Sequence, residues 1–223
     1  MMPDPRFPRD GDGARWYGLY PAVVSDIVDP DAKGRIKVTF PSFGAAGDTV
    51  AAWATLLTPY ADDDQGFEVL PEVSSQVVVG FEAGDPTRPY IVGACWNGSR
   101  ALPTPAQSAN NLRTWKTRSG SMLQFDDTNG AAKVTVSMQS GHHIVLDDAA
   151  QDITVQHSNG CKFNINVAGQ VTIMANATVE VTASAVNVHA PTVMCDGIVQ
   201  CTTLIASVGV VSPMYTPGAG NIW

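Results

Sequence analysis

The chain has 223 residues, 44% of them apolar and 15% charged, a balance that excludes a disordered polymer. A net charge of −8 argues against nucleic-acid binding, which rests on neutralising phosphates with Lys and Arg. No apolar run approaches the roughly 20 residues of a membrane-spanning helix. The opening MMPDPRFPRDGDGAR lacks the apolar stretch of a secretory leader, so a soluble, cytosolically made chain is expected.

In chain order, residues 1–15 read as a mobile arm, and WYGLYPAVVSDI follows as a strand. Asp29-Pro30-Asp31-Ala32-Lys33-Gly34 is a turn: Pro pre-sets φ, and Gly is free to take φ > 0. RIKVTF then alternates strictly, which puts Ile36, Val38 and Phe40 on one face and Arg35, Lys37 and Thr39 on the other. WATLL (53–57), FEVLP (67–71), QVVVGFE (76–82) and YIVGACW (90–96) complete about five or six short strands, with no segment of helical period. That set predicts a small closed barrel with one apolar face inside and few free edges. Trp53 and Trp96 lie in strand-like apolar settings and are expected in the core. Asp62-Asp63-Asp64 reads as a solvated loop.

Residues 99–112, rich in Pro, Ser, Asn and Ala, have the composition of a linker. Beyond them an internal repeat begins. GSMLQFDD from Gly120, GHHIVLDD from Gly141 and GCKFNINV from Gly160 align without gaps, with starts 21 and 19 residues apart. KVTVSM, DITVQH, QVTIMA, TVEVTA and AVNVHA alternate between them, so one face is apolar and the other polar. The predicted apolar seam contains Leu123, Phe125, Ile144, Leu146, Ile153, Val155, Phe163, Ile165, Val171, Ile173, Val179, Val181, Val186 and Val188. Each such side chain gains about 1.5–3 kcal/mol on full burial, so a ribbon with a single apolar stripe must cover it. Either the chain closes on itself as a solenoid, or identical stripes from other copies meet about an axis. The repeat is short and lacks a hexapeptide pattern, which favours three chains wound together. After Lys162 there is no Lys or Arg, and only Glu180 and Asp196 carry charge, a composition suited to a rod that slides through a bilayer.

DPDAKGRIKVTFP, AAWATLLTP and PEVSSQVVVGFEAGDPTRPYIVGACWNG resemble the oligonucleotide/oligosaccharide-binding (OB) fold domain of the phage baseplate assembly protein V and VgrG family. Phe81 to Gly93 is the most specific part, and Ser74-Ser75 departs from the glycine more usual after PEV. YTPGAGNIW at the end is similar to the ending of spike proteins in that family. The resemblance implies an all-β homotrimer: an OB-fold barrel at 16–98, an intertwined triple-stranded β-helix shaft at 113–214 and a tip segment at 215–223. It further implies docking on a baseplate hub protein, a PAAR-type tip protein over the blunt end, and transient contact with the target cell membrane on sheath contraction. Assembly in the bacterial cytoplasm into the baseplate of a phage virion or injection particle follows from the same likeness. Roughly ten strand layers at about 4.8 Å give a shaft on the order of 50 Å, against about 40–45 Å for a membrane with headgroups.

Tyr215, Pro217, Gly218, Asn221, Ile222 and Trp223 are the expected tip-protein contact, the alternative being that Ile222 and Trp223 fold back on the shaft. Some relatives carry a lysozyme domain between barrel and shaft, and 97–112 is too short to hold one. No catalytic motif is present, so no enzyme activity, cofactor or metal is expected. Certain short spikes of the family hold iron through H-x-H, whereas here His189 stands alone on the outward phase. His142 and His157 fall on the inward phase, as hydrogen-bonded core histidines or as an axial metal or anion site. Asp126-Asp127 and Asp147-Asp148 read as turn carboxylates rather than a calcium loop. Cys95, Cys161, Cys195 and Cys201 show no zinc spacing. Buried free thiols are favoured over a Cys195–Cys201 disulfide. Two other functions compete with the spike: a trimeric carbohydrate-binding tail protein and an enzyme on a β-helical scaffold.

Overall fold

The computed structural model describes residues 15–44 and 49–212. Seven strands precede the linker: β1 (Leu19–Asp26), β2 (Arg35–Thr39), β3 (Ala51–Leu56), β4 (Ala61–Asp62), β5 (Gln65–Gly66), β6 (Gln76–Phe81) and β7 (Pro89–Ala94). Five of them close a barrel in the order β1-β2-β3-β7-β6, with β6 pairing back onto β1. The junction between β3 and β7 is parallel, Thr55 opposite Tyr90, and the other pairings are antiparallel. Closure removes the free edges that a five-stranded sheet would otherwise present.

The core follows from strict alternation. Val24 faces Val38, Ile36 faces Ala54, Ala22 faces Val77 and Val79 faces Ile91 across neighbouring strands. With Phe40 they form the buried apolar cluster, each at most 2% exposed. The rings of Trp16, Tyr20, Phe40, Phe43 and Phe81 pack together beside it, with centroid separations of 4.5–6.1 Å. The Trp16 amide donates to the Gly84 carbonyl at 2.8 Å, which draws the chain before β1 onto this cluster.

The predicted turn at 29–34 is held by its first residue. The Asp29 carboxylate accepts from Arg35 Nε and Nη2, both at 2.8 Å, and from the amides of Asp31, Lys33 and Arg35 at 3.0–3.2 Å. The bidentate guanidinium is the main cause of an Asp29 pKa well below the usual carboxylate range. A depressed folded-state pKa adds stability that is fully present above the unfolded value, about 3.9, and is lost as pH falls toward the folded value. The melting temperature of the barrel is therefore expected to hold above about pH 5 and to drop in acid. Asp29→Asn should lower the neutral plateau and flatten that acid limb in a thermal-melt series against pH.

Three expectations for this half need correction. FEVLP forms no strand: residues 67–70 run without a ladder partner, and a two-residue hairpin, β4–β5, precedes them. The pairing of β3 with β7 has already closed the barrel, so no edge is left for FEVLP to join. Trp53 lies outside the core, opposite Lys37, with Arg35 and Lys37 over its ring at 5.8 and 5.9 Å. Period two buries its neighbour Ala54 instead. Trp96 follows the end of β7 and is 63% exposed.

After the linker come β8 (Leu112–Lys116), β9 (Met122–Asp126), β10 (Lys133–Ser137), β11 (His143–Asp147), β12 (Asp152–Gln156), β13 (Lys162–Ile165) and β14 (Val171–Met174). They form one seven-stranded antiparallel sheet in sequence order. The repeat glycines set its turns: Gly120, Gly141 and Gly160 take φ of +85°, +96° and +94°. Each donates its amide three residues back, to Thr117, Met138 or His157, and that same residue's amide bonds one residue past the glycine, to Ser121, His142 or Cys161. This is a type I turn closed by a glycine bulge, a short-hairpin geometry that keeps each strand's neighbour in its own chain. Over 112–174 the ladder is thus intrachain, which corrects the expectation of interchain winding throughout 113–214.

A second unit begins at Ala177. Its described part, 177–212, contains no helix or strand, and every residue in it is exposed. Cys195 and Cys201 lie there as exposed free thiols, Cys95 is also exposed and Cys161 is half-buried, so the expectation of buried thiols fails. The reason is local: these segments have no covering layer within the chain. No helix among the described residues is long and apolar enough to cross a membrane.

Candidate functional site

The register of the seven-stranded sheet sorts its side chains into columns. One runs Trp115, Leu123, Val136, Ile144, Val155, Phe163, Ile173. Beside it, on the same face, runs Arg113, Phe125, Val134, Leu146, Ile153, Ile165, Val171, apolar from Phe125 onward. The ten expected seam residues from Leu123 to Ile173 therefore share one face. Trp115, Val134 and Val136 belong with them and were missed. The alternation of KVTVSM already carried Val134 and Val136, but only the hairpin register shows that they fill the columns.

This face has no cover within the sheet. Trp115, Phe125, Val136, Ile144, Leu146, Ile153, Val155, Phe163, Val171 and Ile173 are each 37–62% exposed. The opposite face is polar and bonds to itself: Gln124 Nε2 donates to Thr114 Oγ1 at 2.9 Å, and Asn164 Nδ2 donates to Thr154 Oγ1 at 2.9 Å. By contrast, every residue of the buried apolar cluster lies between Ala22 and Phe40 or between Ala54 and Ile91, inside the barrel. A contiguous apolar surface of two columns exceeds what a stable lone chain leaves in water, and such surfaces mark contacts. Of the remaining seam residues, Val179, Val181, Val186 and Val188 lie in the 177–212 segment, 56–70% exposed.

The other singled-out residues fall into place more simply. Asp126 Oδ1 accepts from the Thr128 hydroxyl and amide, bonds that lower its pKa, and Asp147 Oδ1 accepts from the Ala150 amide. Both close turns at equivalent points of the repeat. Asp62 and Asp64 sit in the exposed β4–β5 turn, where Asp64 has φ +51°. His142 and His157 lie side by side with ring centroids 4.2 Å apart, and His189 lies in the other unit. No group of three or more His, Cys, Asp or Glu side chains is placed to hold a metal among the described residues. Phe67 packs at a tilt against Trp115 of β8, ring centroids 5.6 Å apart, and Arg118 just past β8 pairs with Glu72 at 2.8 Å, contacts that join the barrel half to the start of the ladder. The expected tip contact, Tyr215, Pro217, Gly218, Asn221, Ile222 and Trp223, lies outside the described residues.

A closed five-stranded barrel followed by a seven-stranded hairpin ladder with one bare apolar face defines an all-β protein built of two sheets. Residues 20–96, nearly coincident with the barrel, match the Type VI secretion system/phage-baseplate injector OB domain. The chain is similar to the type VI secretion system spike protein VgrG5 of Pseudomonas aeruginosa, 26% identical over 146 residues covering 60% of this chain and 18% of that protein. It is likewise 26% identical to the spike protein VgrG3 of Vibrio cholerae, over 56% of this chain and 14% of that one. The actin cross-linking toxin VgrG1 of Vibrio cholerae is 25% identical over 52% of this chain and 12% of its own length. The chain thus spans less than a fifth of these curated relatives. The barrel matches the injector OB domain, and the chain is similar to VgrG-type baseplate and spike proteins, as its sequence motifs indicated.

Proposed function

We propose that this chain is the central spike of a contractile, phage-tail-like machine and works as a homotrimer without catalysing a reaction. The observation that carries the reading is the 177–212 segment: no strand, every residue exposed, and Val, Ile, Leu and Met side chains at 56–101% exposure. A segment of that composition cannot persist bare in water, because each apolar side chain gains about 1.5–3 kcal/mol on burial. Winding with two other copies supplies both strand partners and a dry axis. The bare face of β8–β14 meets its symmetry mates in the same assembly, each chain giving one wall before the intertwined part begins. The barrel docks on the baseplate hub protein, and the shaft, free of Lys and Arg after Lys162, crosses the target envelope when the sheath contracts. Residues 215–223 receive a PAAR-type tip protein, and assembly takes place in the bacterial cytoplasm.

Native mass spectrometry tests the assembly. Three chains of 23.5 kDa give about 70 kDa, and the species should resist mild SDS. A chain that stays monomeric and soluble at micromolar concentration would end this reading.

A further inference from the structure

An apolar cavity of about 230 Å³ opens on the flank of the barrel, apart from the bare face of the second sheet. Its floor is Val77 of β6 and Ile91 of β7, both fully buried, and its rim is Leu57, Phe67, Val69 and Leu70, each 41–51% exposed. No charged side chain lines it, and the Thr58 hydroxyl at its wall is already engaged, donating to the Phe67 carbonyl at 2.6 Å. Part of the rim is the stretch that joins no ladder: the amides and carbonyls of Glu68, Val69 and Leu70 bond to nothing among the described residues. An apolar cavity of about 150 Å³ already admits a benzene ring, so this one has room for an aromatic side chain.

The described chain begins close enough to supply that side chain. Arg15 Nη1 donates to the Ala83 carbonyl at 3.0 Å, and the Trp16 amide donates to the Gly84 carbonyl at 2.8 Å. Both acceptors follow the Phe81 end of β6, whereas the cavity floor lies at Val77, about 13 Å back along the strand at 3.3 Å per residue. Residues 1–14 hold one aromatic side chain, Phe7. The eight steps from Phe7 to Arg15 reach at most about 26 Å, enough to lay Phe7 in the cavity of its own barrel. Gly11 and Gly13 fall within that span and let the chain turn. Pro5 and Pro8 fix φ on either side of Phe7, which reduces the entropy lost on docking. Arg6 and Arg9 flank the ring in sequence, and Glu68 at the rim has no ion-pair partner among the described residues.

We propose that segment 5–8 docks on the barrel of its own chain, with the Phe7 ring in the cavity and an arginine beside Glu68. The docking is complete within one copy, so it does not rest on the trimer, and it shields the apolar flank of each barrel.

The experiment uses the full chain with p-benzoylphenylalanine in place of Phe7. After irradiation, a denaturing gel separates products within one chain from products between chains, and digestion with mass spectrometry maps the linked residue. A link within one chain, to residues 56–71 or 91–94, is expected. A link between chains means that a second copy fills the cavity, and a link only to other residues means that Phe7 lies elsewhere; either result overturns the proposal. Amide exchange gives a readout free of the photoreactive group. Exchange at Glu68, Val69 and Leu70 should be about tenfold slower in the wild type than in Phe7→Ser, a change that leaves the barrel core untouched. Equal rates in the two proteins overturn the docking. A monomer in native mass ends the spike reading and leaves this test unaffected.

Discussion

Ile144→Asp is expected to abolish assembly. Ile144 lies mid-column between Val136 and Val155 on the bare face, 43% exposed in the single chain. An aspartate there forfeits about 2 kcal/mol of burial per chain and places three carboxylates around one axis. Like charges some 6 Å apart repel by about 3 kcal/mol per pair at an effective dielectric of 20. The sum weakens a trimer by well over a thousandfold, so native mass should show monomers or aggregates and the SDS-resistant band should disappear. Thr135→Asp is the control, because Thr135 faces the opposite, polar side in the column of Gln124 and Val145, and assembly should survive it. A trimer that tolerates Ile144→Asp would mean that this face is not the seam.

Ile36→Ala should produce the largest loss within the barrel. Ile36 is 1% exposed and faces Ala54, a small neighbour with little side chain to fill the void left behind. Truncations of this kind cost about 2–5 kcal/mol, a large share of a domain's 5–15 kcal/mol. Calorimetry should show the barrel transition falling by many degrees. The SDS-resistant assembly should remain, since the contacts proposed for it lie in the other sheet and the C-terminal segment. Lys37→Ala, pointing outward beside Trp53, should change stability by no more than about 0.5 kcal/mol.

Much of the fold was legible because period two is a local property. RIKVTF alone named Ile36, Val38 and Phe40 as core, and all three are buried. The glycines at 120, 141 and 160 marked the hairpin turns, because positive φ there is cheap only for glycine. The misses came from closure and register. FEVLP has the composition of a strand, but a barrel already closed through β3 and β7 offers it no edge. Trp53 and Trp96 look apolar in sequence, yet which side of a strand is inside is set by its neighbours. Val134 and Val136 became part of the candidate interface only when β10 was seen between β9 and β11.

By itself the sequence determined that this is an all-β protein with a small N-terminal barrel followed by a repeat that carries one apolar stripe. These follow from side-chain alternation, turn chemistry and burial free energy, which act over a few residues. Only the tertiary structure decided that the repeat pairs with itself within one chain up to Met174, and that the described residues 177–212 form no strand. Hydrogen-bond partners are a matter of which backbone lies alongside, and the same alternating pattern satisfies an intrachain ladder and an interchain one equally well.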